Sequence, residues 1–242
     1  MHLAQVCALL SGLLLCQPAI GQATKTRRPV QINGQLSYDS FFGFYPTLSV
    51  SKSLDSLHEI RAYSTFYTNP DFFGNETGLT LSITSPRKTW SVMPGAAVVS
   101  GSFFVMGRSF RIGEGYFGSL AVQHERAGWY VEGYGGYYGI LQRITPDAYD
   151  FGFYTAQAGR IIAGQIHVGV LYAWLGNVQL PRNGGDISEF AVSRIGLAAN
   201  MNLGARLNIQ VGGGLTHGAD QRAFVQLSLA RQLSRLSAYA SK

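Results

Sequence analysis

The stretch Gln165-Ile166-His167-Val168-Gly169-Val170-Leu171-Tyr172-Ala173-Trp174 puts Ile166, Val168, Val170, Tyr172 and Trp174 at every second position, with mostly polar or small residues between them. Side chains alternate faces along a strand, so a period of two gives a ribbon with one oily face, ending in aromatic rings, and one wet face. The pattern returns in Leu207-Asn208-Ile209-Gln210-Val211 and in Val225-Gln226-Leu227-Ser228-Leu229. Working outward from these segments, about twelve strands are predicted, at residues 30–38, 43–53, 57–67, 76–84, 89–100, 114–126, 128–140, 149–159, 162–174, 188–201, 205–215 and 222–231. Their lengths are roughly the 9 to 11 residues that cross a bilayer at a tilt.

Composition agrees with strands whose oily face meets lipid. Of 242 residues, 46% are hydrophobic, only 13% are charged and 30 are glycine, so material for an ordinary charge-covered surface is scarce. Beyond the first twenty residues no uninterrupted apolar run approaches the roughly 18 to 20 that a membrane helix requires. Residues 1–23 are predicted to be a cleaved export signal, from the apolar run Ala8 to Leu15 and the small residues Gly21 and Ala23, although the first five residues hold no Lys or Arg. A lipoprotein site would want a small residue before Cys16, and Leu15 stands there. Cys7 and Cys16 are the only cysteines, so residues 24–242, the expected mature domain, lack the thiols for disulfides, Cys-ligated zinc or a cysteine nucleophile. The net charge of +6 is unaccompanied by any basic block longer than Arg27-Arg28, which argues against a polynucleotide partner and is read as lipopolysaccharide contact or anion attraction.

The connections carry as much information as the strands. Tight turns are expected at residues 54–56, 85–88, 127–128, 160–161 and 202–204, and longer connections at 68–75, 101–113, 141–148, 175–187 and 216–221, with the short 39–42 as the exception. Short and long alternate, as in barrels with short periplasmic turns and longer external loops. Alternation assigns Leu36, Leu48, Val50, Leu79, Val131, Val168, Val170 and Val211 to lipid, with Tyr38, Trp90, Trp129, Tyr172 and Trp174 near the headgroups. The opposite face, with Gln31, Asn33, Gln35, Thr47, Thr80, Gln123, Asn208 and Gln210, makes a polar interior. A soluble sandwich, in which the oily rows cover one another, is the competing architecture.

With this pattern the chain resembles the small porin-like outer-membrane β-barrels over residues 28–232. The resemblance implies an all-β, antiparallel transmembrane barrel in the bacterial outer membrane and no particular activity. It departs from the family at its end: such barrels finish on an aromatic-ended strand, whereas this chain continues past Ala230 to Lys242, with Tyr239 its only aromatic there.

Glu59, Arg61, Glu125, Glu132, Arg194 and Arg206 have inward parity, most of them toward the short-turn end, where they would brace a filled barrel or form a charged constriction. Tyr63, Tyr67, Tyr130, Tyr134 and Tyr138 also point inward, to fill the bore or stack along a solute. The apolar connection containing Phe103, Phe104, Arg108 and Arg111 would fold inward, extend its strands or meet a partner, and its arginines suit lipopolysaccharide phosphates. His217, two residues before Ala219, resembles the His and Ser arrangement of outer-membrane lipid hydrolases, but the serine is missing. His58, His124 and His167 have no metal-ligand spacing, and no cofactor is expected. The function expected is passage of a small hydrophilic solute. The alternatives are a closed barrel presenting loops to lipopolysaccharide or a protein, and a lipid-modifying enzyme. Solute and oligomeric state are not encoded legibly.

Overall fold

Tyr38 lies opposite Phe44 on one side and Leu227 on the other, so the first and last strands share a ladder and the sheet has no free edge. In this computed structural model, which describes residues 29–40, 42–69, 72–102, 110–141, 150–163, 165–178, 191–203, 207–218 and 222–236, twelve strands close into one antiparallel barrel. They are β1 (Val30–Asp39), β2 (Gly43–Ser53), β3 (His58–Asn69), β4 (Phe72–Thr84), β5 (Trp90–Gly101), β6 (Arg111–Arg126), β7 (Trp129–Ile140), β8 (Phe151–Ile162), β9 (Ile166–Asn177), β10 (Ala191–Leu203), β11 (Leu207–His217) and β12 (Ala223–Leu236). Each pairs only with its sequence neighbours, apart from the β1–β12 closure. The predicted export signal, residues 1–23, lies outside the described residues.

Neighbouring residues show which way the oily face points. Leu197 is 65% exposed and Ala198 only 2%, while Val170 is 53% exposed and Leu171 only 3%. The large apolar side chains therefore stand on the outside of the cylinder, around its whole girth, uncovered by any second sheet. This excludes the sandwich. Such a belt far exceeds the apolar patches of water-soluble monomers, and hydrocarbon is the surrounding that suits it. At the end carrying the short turns, Trp90 and Trp129 open β5 and β7, and the Arg160 guanidinium lies 4.5 Å from the Trp129 ring centre. At the other end Tyr154 stacks on Trp174 at 5.6 Å and Phe110 meets Phe73 edge-on at 6.3 Å. These are the two aromatic borders expected where a membrane meets water.

By the rule that outer-membrane barrels keep their short turns in the periplasm, the end with residues 127–128 and 163–165 is periplasmic. Ala127 and Gly128 take φ of 51° and 78°, the left-handed pair that a two-residue hairpin turn with primed twist requires. At residues 54–57 the Asp55 carboxylate accepts the N–H groups of Leu57 (2.7 Å) and His58 (2.8 Å) and contacts His58 Nδ1 at 2.7 Å. The Leu57 N–H first, then His58, hold that carboxyl below the ordinary carboxylate range. Lys52, Arg87, Lys88, Arg126 and Arg160 are all exposed at this same end, so part of the basic excess sits outside the bore.

The wall is longer than expected, most of all between β3 and β4 and at its last strand. The long connection predicted at residues 68–75 is instead strand: Asn69 pairs with Phe72, leaving only residues 70–71 between β3 and β4. Polar residues were read there as loop, but a barrel's inner face is polar along its whole height, so polarity does not mark where a strand ends. The last strand likewise runs on to Leu236, past a register shift opposite Ile32 and Asn33, and only residues 237–242 lie beyond it, outside the described residues.

Candidate functional site

Among the described residues the lumen is the concave polar surface, and its side chains fall into two strata. The first lies toward the external end. Thr65 pairs with Glu76, which points inward with 3% exposure. Its carboxylate accepts three phenolic O–H donors, from Tyr63 (2.5 Å), Tyr138 (2.7 Å) and Tyr67 (3.4 Å). Tyr138 comes from β7, four strands from β3, so this hub ties distant parts of the wall together across the bore. Around it Phe117 stacks on Tyr138 at 4.2 Å and Tyr138 on Phe151 at 4.6 Å, while Tyr67 stacks on Tyr45 at 5.6 Å. The Phe117 ring lies flat on Gly136, where a Cβ would come within 2.1 Å of it. Glycine is therefore the residue that lets an aromatic lie against the inner wall. In the same stratum Arg194 donates to Asp39 at 2.7 Å, both nearly buried, with the guanidinium 5.1 Å from the Phe224 ring centre.

The second stratum, toward the periplasm, is made of amides and looser charges. Arg61 meets Glu59 at 3.2 Å with both side chains partly exposed. Asn208 donates to Asn200 (2.5 Å) and Asn202 (2.7 Å). His167 lies 3.9 Å from Glu125, beneath the Tyr130 ring at 4.8 Å between centres, and Gln123 donates to Glu125 at 3.2 Å.

Between the strata the bore is hollow. A cavity of about 690 Å³ extends from Gln31, Glu59 and Asn202 up to Tyr67, Glu76 and Tyr138. A second, of about 380 Å³, is lined by Glu132, Gln157, Gln210 and Gln226 and shares Gln35, Tyr45, Met93, Ala121 and Tyr134 with the first. The two therefore adjoin along the bore.

Of the predicted lumen residues, Glu59 and Arg61 pair with each other. Glu125 and Glu132 face inward in the periplasmic half, on neighbouring register pairs of β6 and β7. Arg194 faces inward near the external end and is brought to Asp39, not to any of the others. Arg206, Phe103, Phe104 and Arg108 lie outside the described residues. Arg111 begins β6, opposite Gly101, and the exposed Phe110 and Ile112 beside it continue the outer wall, so this flank of the apolar connection extends the strands. The inward tyrosines are as expected. Glu76, which they serve, was missed because it stood at the edge of the presumed loop. Counting inward parity back from Thr80 and Ser82 would have found it. His217 ends β11 on the outer face, opposite Ser193 in register, and among the described residues no hydrogen bond joins them.

A closed twelve-strand barrel with an oily belt, two aromatic borders and a polar, hollow lumen is a porin-like outer-membrane β-barrel. The chain belongs to DUF6733, a family of unknown function, whose model matches residues 2–230. Among solved structures it is similar to the NanC porin, with 8% identity, 84% of this chain and 99% of that chain covered, and a TM-score of 0.50. The KdgM porin (9% identity, 84% and 99% covered, TM-score 0.49) and LpxR from Salmonella typhimurium (10% identity, 83% and 100% covered, TM-score 0.43) also match. At such identities the likeness is one of fold. No curated protein matches the chain.

Proposed function

We propose that this protein, exported by a cleaved signal at residues 1–23, sits in the bacterial outer membrane as a passive channel for small hydrophilic solutes. The observation that supports this most is the pair of adjoining cavities lined by amides, hydroxyls and charges along the bore. A barrel meant only as a structural pillar gains nothing from a hydrated core, whereas solute passage needs one. No reactive group has to be invoked, because passage requires only a polar path and weak, repeated contacts.

The inward charges give the path a sign. Among the described residues, Asp39, Glu59, Glu76, Glu125 and Glu132 face the bore, against Arg61 and Arg194. Among the described residues the lining thus carries more acidic than basic groups, although the whole chain is basic. In planar bilayers the full chain is expected to conduct and to prefer cations, and Glu132→Gln to weaken that preference. Absence of conductance above the empty bilayer would favour the closed, structural barrel, whose support is the tightly packed external stratum. Around the belt outer-membrane lipid is the proposed partner, with Arg111 at the start of β6, and Arg108 as read from the sequence, offered to lipopolysaccharide phosphates.

A further inference from the structure

The geometry points to a binding site for a small organic ammonium ion at the external end of the lumen, formed by the Glu76 hub and the Tyr45–Tyr67 stack. This deepens the channel reading by naming a solute class, and it rests on that reading for access. Glu76 brings an acidic side chain into the wall, and among the described residues no guanidinium, ammonium or imidazole pairs with it: the ion pairs nearby are Arg194 with Asp39 and Arg61 with Glu59. Its partners are three phenols. Tyr63, the nearest at 2.5 Å, commits its proton to the carboxyl group, so what its oxygen has left to offer the cavity is lone pairs. Beside them Tyr45 and Tyr67 lie stacked, with Phe42 tilted against Tyr67 at 6.2 Å, and all of these rings line the larger cavity. Ring faces attract a cation through their quadrupole, most strongly where water is scarce.

A phenol acceptor, π faces and an acidic group with no cation paired to it among the described residues select a ligand that is positive, bears N–H donors and has an apolar part to lie on the rings. A protonated alkylamine meets all three demands. An anion meets none, a bare metal ion lacks the apolar part, and a neutral alcohol lacks the charge. The cavity of about 690 Å³ admits a ligand of that size with its hydration water.

Calorimetric titration of the full chain in detergent with butylammonium chloride tests the proposal, with sodium chloride and butanol as separate probes. Saturable binding of butylammonium is expected, at least tenfold weaker in Glu76→Gln, which keeps the side chain's shape and removes its charge. Tyr67→Leu should weaken it similarly by deleting a ring face, and Asp55→Asn, in a distant turn, should leave it unchanged. If Glu76→Gln fails to fold by heat-modified gel mobility, Tyr63→Phe, which removes one hydroxyl and keeps the ring, takes its place, with a severalfold loss expected. Equal binding of butanol, binding of sodium in competition with full strength, no binding, or wild-type affinity in these variants would overturn the site. Conductance of the same samples separates the two claims: conduction without ammonium binding removes the site and leaves the channel, and binding without conduction does the reverse.

Discussion

The two ends of the lumen solve the problem of a polar interior in opposite ways. Toward the outside, Arg194 and Asp39 are nearly buried at 2.7 Å, and Glu76 is enclosed by phenols and stacked rings. Toward the periplasm, Arg61 and Glu59 meet at 3.2 Å with 42% and 27% of their side chains exposed, and asparagines and glutamines take the place of rings. The difference teaches where stability and selectivity reside. Enclosed charges must keep their partners, since water cannot replace them, whereas charges facing a hydrated bore are free to serve passing ions.

Breaking the enclosed pair gives the largest expected effect. Arg194→Ala leaves Asp39 buried without this guanidinium, and urea unfolding in lipid vesicles should show a loss of about 3–5 kcal/mol. Arg61→Ala should cost at most about 1 kcal/mol by the same measurement, because its pair is half in water. Equal losses would erase the distinction between the two ends.

The wall itself offers a second contrast in two adjacent residues. Leu120 faces outward with 50% exposure, and Ala121 lines both cavities. Leu120→Arg should destabilise by about 2–4 kcal/mol if it lies near the membrane midplane. Ala121→Arg should instead leave stability within about 1 kcal/mol and shift conductance toward anions, since it adds charge to the bore and none to the lipid face. A smaller effect is expected at Gly136→Val: the new side chain must push the Phe117 ring off the wall, at about 1–3 kcal/mol, with the external stratum loosened and the periplasmic one untouched.

Much of this was legible in the sequence, for a physical reason. A period of two in Ile166, Val168, Val170, Tyr172 and Trp174 survives any tertiary context, because an inward turn of those side chains would need a one-residue slip of the whole strand. The inward parity of Glu59, Arg61, Glu125, Glu132 and Arg194 follows from the same rule. What parity cannot give is the partner across the bore. Asp39 and Arg194 are 155 residues apart, and their meeting depends on how far the strand register has climbed around the barrel. Tyr138 on β7 reaching Glu76 on β4 is illegible for the same reason. The silence about Glu76 had another cause: it was the first residue of the predicted strand 76–84, beside Gly74 and Asn75 of the expected connection, and a strand end next to turn-like residues does not suggest the middle of a wall.

The smallest effect concerns the periplasmic turn. Asp55 is held below its ordinary range by the Leu57 N–H and His58, so its contribution is present above the carboxylate range and fades as pH falls through the lowered value. Asp55→Asn should therefore match the wild type in acid and fall slightly short at neutral pH, measured by thermal unfolding at the two pH values. A deficit that is the same at both would mean that charge plays no part in the turn.

The most direct test of the account is the reversal potential of the full chain in a planar bilayer under a potassium chloride gradient. A conducting lumen with the acidic lining described here should give a potential on the cation-selective side, moved toward zero by Glu132→Gln. A bilayer that stays silent, or one whose potential favours chloride, would contradict the account.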